Sequence, residues 1–143
     1  MSQQQARVLY PIPHVPSVNA ALHVLETAIS VVETTPSDTP LTARLFSPDL
    51  ALARDYLVEF KMRSRNKAGT LAGYIWRACQ FRVTGGVVVL IGTADLIATE
   101  VSELAVAGVF ATDGTDIQWT ITGIAATPID HFGRGTVIHG GAV

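Results

Sequence analysis

The clearest pattern in the chain is the alternation of apolar and polar positions within short segments. Residues 117–122 place Ile117, Trp119 and Ile121 on one face and polar side chains on the other. Residues 55–65 alternate in the same way, with large apolar side chains at most even positions and charged ones at most odd positions. A period of two residues is that of a β-strand with one buried face. The pattern therefore predicts two strands that each line a core.

Glycine-rich turns separate these segments. Gly85-Gly86 and Asp113-Gly114 are dipeptides that accept the positive φ angles of tight hairpins, and Asn66 to Gly69 closes the strand at 55–65. Further strands are predicted at 27–34, 41–46, 74–83, 87–91, 95–101, 104–111, 127–132 and 136–139. Residues 18–26 fit a helical stripe as well as an extended segment, and residues 95–104 admit a short helix instead of a strand.

The strand around residues 74–83 carries two apolar phases. One phase holds Tyr74, Trp76 and Ala78, and the opposite phase holds Cys79, Phe81 and Val83. A change of phase within a strand is typical of a β-bulge, which is predicted near residues 78–80.

Short strands at this spacing predict an all-β protein with a single β-sandwich or jelly-roll domain over residues 18–143. The predicted core consists of Tyr56, Val58, Phe60, Val88, Leu90, Ile117, Trp119 and Ile121. Residues 1–17 differ from the rest, because a proline recurs at every second or third place between residues 11 and 16 and favours extended, unpaired backbone. We expect this arm to bind a neighbouring subunit or another partner through Val8, Leu9, Tyr10, Ile12 and Val15.

The composition points to a covered surface. The chain is 48% hydrophobic and 15% charged, against a usual charged fraction of about 25%. We expect part of the surface to be covered by another copy or another protein; the alternative is a monomer with a Thr- and Ser-rich exterior. Net charge is −2, which does not indicate nucleic acid, but seven of the ten bases fall between residues 54 and 82. Such a cluster can hold subunits in register or meet an acidic surface, or can form solvated strand faces.

Candidate chemistry is sparse. The sequence contains no nucleophile elbow, phosphate loop or HExxH motif, so we expect no catalytic residues, no cofactor and no enzymatic activity. Asp130, His131 and His139 could approach one another across a hairpin, yet they supply too few certain ligands for a metal. Trp76 and Trp119 could stack on sugar rings, but both share a phase with apolar neighbours, which favours burial.

The single cysteine, Cys79, excludes an intrachain disulfide and is expected to be buried. Gly133-Arg134-Gly135 is interpreted as a flexible corner. No secretion signal is visible, and no apolar run approaches the ~20 residues needed to span a bilayer. We therefore expect synthesis in the cytoplasm and no membrane partner.

The order of strands and turns from Leu25 to Thr122 resembles a β-sandwich module of tailed-phage virion proteins, of the tail-fibre-tip or head-decoration type. The segments that carry the resemblance are 26–35, 56–65, 72–78, 85–92 and 117–123. The sequence departs from the family at residues 126–132, where the family usually has a tryptophan-bearing strand. Pro128 at that place predicts a strand at a sheet edge.

The resemblance implies a structural role in the virion without an enzymatic one. The leading expectation is a capsid cement or decoration subunit that assembles as a homotrimer and docks on the major capsid protein or other virion proteins. The alternative is a tail or tail-fibre component that binds a host-surface glycan or receptor. The short arm favours cement, since it can link neighbouring capsomers through several weak contacts.

Overall fold

The computed structural model describes residues 24–100 and 104–140, which form two antiparallel β-sheets packed face to face. The strands are β1 (Val24–Thr35), β2 (Leu41–Phe46), β3 (Asp55–Asn66), β4 (Ala72–Thr84), β5 (Val87–Glu100), β6 (Ala107–Thr112), β7 (Ile117–Thr122) and β8 (Ile129–Gly140). One sheet has the order β1-β8-β3-β4-β5 and the other the order β2-β7-β6. The predicted all-β sandwich is confirmed. The arm at residues 1–17 lies outside the described residues, as do residues 18–23 of the helical alternative at 18–26. Residues 24–26 of that alternative are extended in β1.

The core lies between the two sheets and is built around a chain of aromatic rings. Trp119 of β7 packs at 4.8 Å from Phe60 of β3 and at 4.9 Å from Phe110 of β6, measured between ring centroids. Phe110 in turn meets Phe81 of β4 edge to face at 6.2 Å. Tilted and edge-to-face pairs at these distances are the favoured arrangements of aromatic side chains. These four rings, called the aromatic spine below, therefore join the two sheets and bury large apolar surfaces between them.

The hairpin turns follow the sequence predictions. Gly85 and Gly86 have φ values of 60° and 77°, and Gly114 has a φ of 90°. In the β3–β4 turn the Asn66 carboxamide oxygen accepts hydrogen bonds from the backbone amides of Thr70 and Leu71 at 2.9 and 3.0 Å. These contacts hold the turn in one conformation. Because the conformation of a hairpin turn determines which residues of the two strands pair, they also fix the register of β3 and β4.

Strand β5 corrects two predictions. The strands predicted at 87–91 and 95–101 form one strand over Val87–Glu100, so residues 95–100 are extended rather than helical. Gly92, with a φ of 70°, lies where the pairing with β4 shifts between Ala78 and Gln80. The predicted bulge is therefore confirmed in position, but the extra residues belong to β5 and not to β4. In β4 the same set of alternate positions, including Ile75, Cys79 and Phe81, faces the core along the whole strand.

Strand β8 corrects three further predictions. Residues 127–132 and 136–139 were predicted as separate strands, yet Ile129–Gly140 is continuous and pairs with β1 on one side and β3 on the other. Gly133-Arg134-Gly135 is therefore the middle of a central strand and not a corner. Pro128 precedes the strand, where its missing amide interrupts no ladder, so it does not mark a sheet edge.

Seven of the eight predicted core residues are buried, and Leu90 is the exception at 38% exposed. Leu90 of β5 pairs with Phe81 of β4, but it belongs to a strand in which buried and exposed positions alternate only weakly. Trp119 is fully buried as predicted, whereas Trp76 is only half-buried and belongs to the opposite face of its sheet. Trp76 therefore belongs to the outward face of the five-stranded sheet.

Candidate binding groove

The face of the five-stranded sheet that points away from the core carries an unusual set of side chains. Strand pairing places Ser30, Arg134, Lys61 and Trp76 side by side across β1, β8, β3 and β4. The adjacent row across the same strands holds Val32, Phe132, Arg63 and Tyr74. Because side chains on one face repeat every second residue, these two rows are neighbours. Together they form a patch of aromatic, aliphatic and basic groups.

A groove of about 620 Å³ runs across this patch. It is lined by Ser30, Val31, Val32, Lys61, Met62, Arg63, Tyr74, Trp76, Phe132, Gly133 and Arg134. Three of these side chains are cationic, three are aromatic, and none is acidic or a histidine. A second hollow of about 530 Å³ continues the groove along β1 and β8, sharing Ser30, Lys61 and Arg134 and adding Glu59.

The apolar walls of the groove are open to solvent. Val32 is 73% exposed, Phe132 48% and Tyr74 46%. Lone exposed apolar residues are ordinary on protein surfaces, but rings that stand together beside a groove indicate a surface that binds something.

The cations and rings of the groove are in direct contact. The Lys61 ammonium lies 4.4 Å from the centroid of the Trp76 ring, a cation–π arrangement that holds the lysine over the indole. Within the described part of the chain, the indole Nε1 of Trp76 is buried without a hydrogen-bond partner. Arg63 lies between Phe132 and Tyr74 in the strand register, and Arg134 lies beside Lys61.

The two histidines considered as metal ligands, His131 and His139, occupy two separate places. His131 is fully buried under the opposite face of the sheet, where its Nε2 pairs with the Thr35 hydroxyl at 2.8 Å and its Nδ1 with the Ser64 hydroxyl at 2.7 Å. Burial lowers the pKa of His131, and the neighbouring Asp130 carboxylate opposes that shift. Since both ring nitrogens are occupied by hydroxyls, His131 is a packed core histidine.

His139 lies at the far end of the same strand, with its Nδ1 3.2 Å from the Arg54 guanidinium and its ring 5.0 Å from that of Tyr56. Asp130 faces outward, where it accepts a hydrogen bond from Thr34 at 2.7 Å and pairs with Lys67 at 2.9 Å. Among residues 24–100 and 104–140 no group of three metal-ligating side chains converges. The structure thus brings Asp130 and the two histidines onto one strand but not into one site.

Two other features of the described chain bear on chemistry. Burial raises the pKa of the Cys79 thiol to about 12, so this cysteine carries no thiolate nucleophile at neutral pH. No helix within the described ranges is long and apolar enough to cross a bilayer. The arm residues from Val8 to Val15 lie outside the described ranges.

Trp76 was predicted to be buried and Tyr74 was given no role, although the sequence carries a signal that places both at the surface. The turn from Asn66 to Gly69 sets the β3–β4 register, which pairs Lys61 with Trp76 and Arg63 with Tyr74. Both aromatic residues therefore share a face with the two cations. The predicted burial of Trp76 followed the apolar character of its neighbours instead of this register.

Comparison with known proteins gives little that is specific. No protein-family model matches the chain, and no curated protein matches it. One solved structure that overlaps with it is the tailspike protein of Acinetobacter baumannii phage AM24, with a TM-score of 0.47 and 12% sequence identity. The overlap covers 82% of this chain and 26% of the tailspike, so the chain spans about a quarter of that protein's length.

Proposed function

We propose that this protein is a non-enzymatic structural component of a tailed-phage virion, of the tail or tail-fibre type, and that it attaches to its target through the groove. The observation that carries the proposal is the lining of the groove, in which exposed rings and cations stand together without a carboxylate or an imidazole. Aromatic and arginine side chains are the groups that dominate recognition surfaces. The virion context comes from the resemblance in strand and turn order.

The lining also supports binding in place of catalysis. Hydrolysis of a glycan normally needs two carboxyl groups on either side of the scissile bond. Among the described residues no carboxyl group lines the main groove, and Glu59 is the single acid of the adjoining hollow. The remaining chemistry of the groove is hydrogen-bond donation, charge pairing and stacking, which hold a ligand without activating it.

A second candidate role is capsid cement, in which the protein decorates the phage head. It is supported by the sequence of the arm, where Val8, Leu9, Tyr10, Ile12 and Val15 provide apolar contacts within a proline-rich segment. In that role the partner is the major capsid protein and the assembly is a homotrimer. Both of these remain predictions.

The copy number of the protein in purified particles tests the virion role and separates the two locations. Quantitative mass spectrometry of particles of the encoding phage should detect the chain at far fewer copies than the major head protein. Copies comparable with the head protein would favour cement instead. Absence of the chain from purified particles would contradict both roles.

Attachment through the groove is tested by adsorption. The purified full-length chain should compete with the phage for its host cells, and the Arg63→Glu variant should compete more weakly because it reverses a charge in the groove. Arg44→Glu is the matched control, since Arg44 is an exposed arginine on β2 in the other sheet. Equal competition by Arg63→Glu and the unchanged protein would contradict attachment through this face.

A further inference from the structure

We propose that the ligand of the groove is a segment of an acidic polysaccharide, whose anionic groups pair with Lys61, Arg63 and Arg134 while its sugar rings stack on Trp76, Tyr74 and Phe132. This inference rests on the proposed function, because it names the class of ligand that the attachment surface takes. Two features of the described residues support it, and two other classes of ligand fit the groove less well.

The spacing of the cations suits separate anionic groups held along one chain. Lys61 and Arg134 are direct partners on adjacent strands, and Arg63 follows Lys61 by two residues on the same face. Neighbouring strands lie about 4.8 Å apart, and a step of two residues along a strand spans about 6.8 Å. One carboxylate or phosphate can therefore approach two of the three cations at once, which strengthens each charge-assisted hydrogen bond.

The rings are arranged on both sides of the cations. Phe132 on β8 and Tyr74 on β4 flank Arg63, and Trp76 lies next to Lys61. The faces of aromatic rings are electron-rich and attract positively polarised C–H groups, which the flat faces of pyranose rings provide. A ligand that alternates such faces with anionic groups satisfies both parts of the lining.

Nucleic acid fits this surface less well. The chain has a net charge of −2 and a pI near 6.0, whereas nucleic-acid-binding domains are usually basic. On the same face of the sheet, Glu59 precedes Lys61 by two residues, and Asp130 lies in the row beyond Arg63. A continuous phosphate backbone that extended past the groove would meet these carboxylates.

A peptide also fits less well, because peptides usually bind sheets by adding a strand at an edge. The groove lies on a face, and β8 and β3 at its centre are each paired on both sides. The backbone groups there are consumed by the ladders and cannot satisfy those of a peptide. The chain's own residues 1–23 carry Arg7 as their only charged side chain, with histidines counted as neutral, so they do not complement three cations.

The test uses the full-length chain with polysialic acid and polygalacturonate as acidic polysaccharides, dextran as a neutral one and oligo-dT as a nucleic acid. Binding is measured by titration calorimetry and by tryptophan fluorescence. Trp119 is fully buried and Trp76 half-buried, so a ligand-induced change in emission should report Trp76 and disappear in Trp76→Phe. We expect at least one acidic polysaccharide to bind, with an affinity that falls as NaCl is raised, and dextran not to bind.

The double variant Lys61→Gln with Arg63→Gln should lose about tenfold or more in affinity, which corresponds to about 1.4 kcal/mol. Arg44→Gln should bind like the unchanged protein. The inference is overturned if neither acidic polysaccharide binds, if dextran binds equally well, if oligo-dT binds as tightly as the acidic polysaccharides, or if the double variant keeps full affinity. Absence of the chain from phage particles would instead remove the proposed function and leave the ligand assignment standing.

Discussion

At the scale of single residues, His131 shows how tertiary context decides the role of a side chain. Its imidazole lies under the sheet with the hydroxyls of Thr35 and Ser64 on its two nitrogens, at 2.8 and 2.7 Å. A neutral imidazole donates from one nitrogen and accepts at the other, and a hydroxyl can do either. The buried neutral ring is therefore satisfied, while a protonated ring would place a charge in the core.

The first prediction concerns the pH dependence of stability. Burial lowers the pKa of His131 in the folded state, so the unfolded chain binds more protons once the pH falls below the unperturbed value of about 6.5. The free energy of unfolding should therefore be fully retained above that pH and decrease as the pH falls towards the folded-state pKa. Urea denaturation between pH 7.5 and 5 measures this decrease.

The matched variant is His131→Gln, which keeps hydrogen-bonding groups at the site but cannot titrate. Its free energy of unfolding at pH 7.5 should be lower, and its loss between pH 7.5 and 5 should be smaller than that of the unchanged protein. The carboxylates whose pKa values are lowered, such as Asp55 and Asp130, lose their contribution mainly below about pH 4. An identical slope in both proteins over pH 7.5–5 would contradict the role assigned to His131.

At the scale of elements, strand β8 depends on glycine for close packing. A Cβ atom at Gly133 would overlap the ring of Phe60, and one at Gly135 would overlap the backbone carbonyl of Glu59 on β3. The absent side chains let Phe60 turn beneath β8 and reach Trp119 in the other sheet. The two glycines that suggested a corner are therefore required for a central strand to lie over an aromatic ring.

The second prediction follows from that contact. Gly133→Ala should lower the free energy of unfolding by about 1–3 kcal/mol, because the new methyl group displaces a ring in a well-packed core. Gly140→Ala is the control, since a Cβ atom there meets nothing within 4 Å. Denaturant unfolding of both variants gives the comparison. A loss for Gly133→Ala no greater than that for Gly140→Ala would show that the ring adjusts freely.

At the scale of the whole molecule, one face of the five-stranded sheet forms the core and the other face forms an open surface. One face packs on the three-stranded sheet through the aromatic spine of Phe60, Trp119, Phe110 and Phe81. The other face carries the groove, which nothing in the described chain covers. The low fraction of charged residues in the composition is consistent with this open face, because exposed apolar side chains such as Val32 and Phe132 occupy part of it. The expected homotrimer stays a prediction.

The third prediction tests the assignment of faces. Trp119→Ala should lower the free energy of unfolding by about 3–5 kcal/mol, because it empties the centre of the spine and leaves a cavity between the sheets. Gln118→Ala should cost less than about 1 kcal/mol, since its half-buried side chain points away from the core. Guanidinium unfolding followed by far-UV circular dichroism measures both. Equal losses would contradict the inward phase of β7.

What the sequence determined by itself is local. The two-residue period of β3 and β7 identified their buried faces, and Gly85-Gly86 identified a hairpin, because these signals depend on side-chain direction and φ angles within a few residues. The excess of bases between residues 54 and 82 also marked the part of the chain that supplies two of the three groove cations, Lys61 and Arg63.

Tertiary structure decided the rest, because pairing between distant strands is not encoded in any local period. The central place of β8 between β1 and β3 sets Arg134 and Phe132 beside Lys61 and Arg63, although they are about seventy residues apart in sequence. The same pairing buries His131 and separates it from His139. Apolar character alone could not distinguish the exposed rings of Tyr74 and Phe132 from the buried ring of Trp119. Both faces of the five-stranded sheet carry aromatic side chains, and only the position of the three-stranded sheet determines which face is covered.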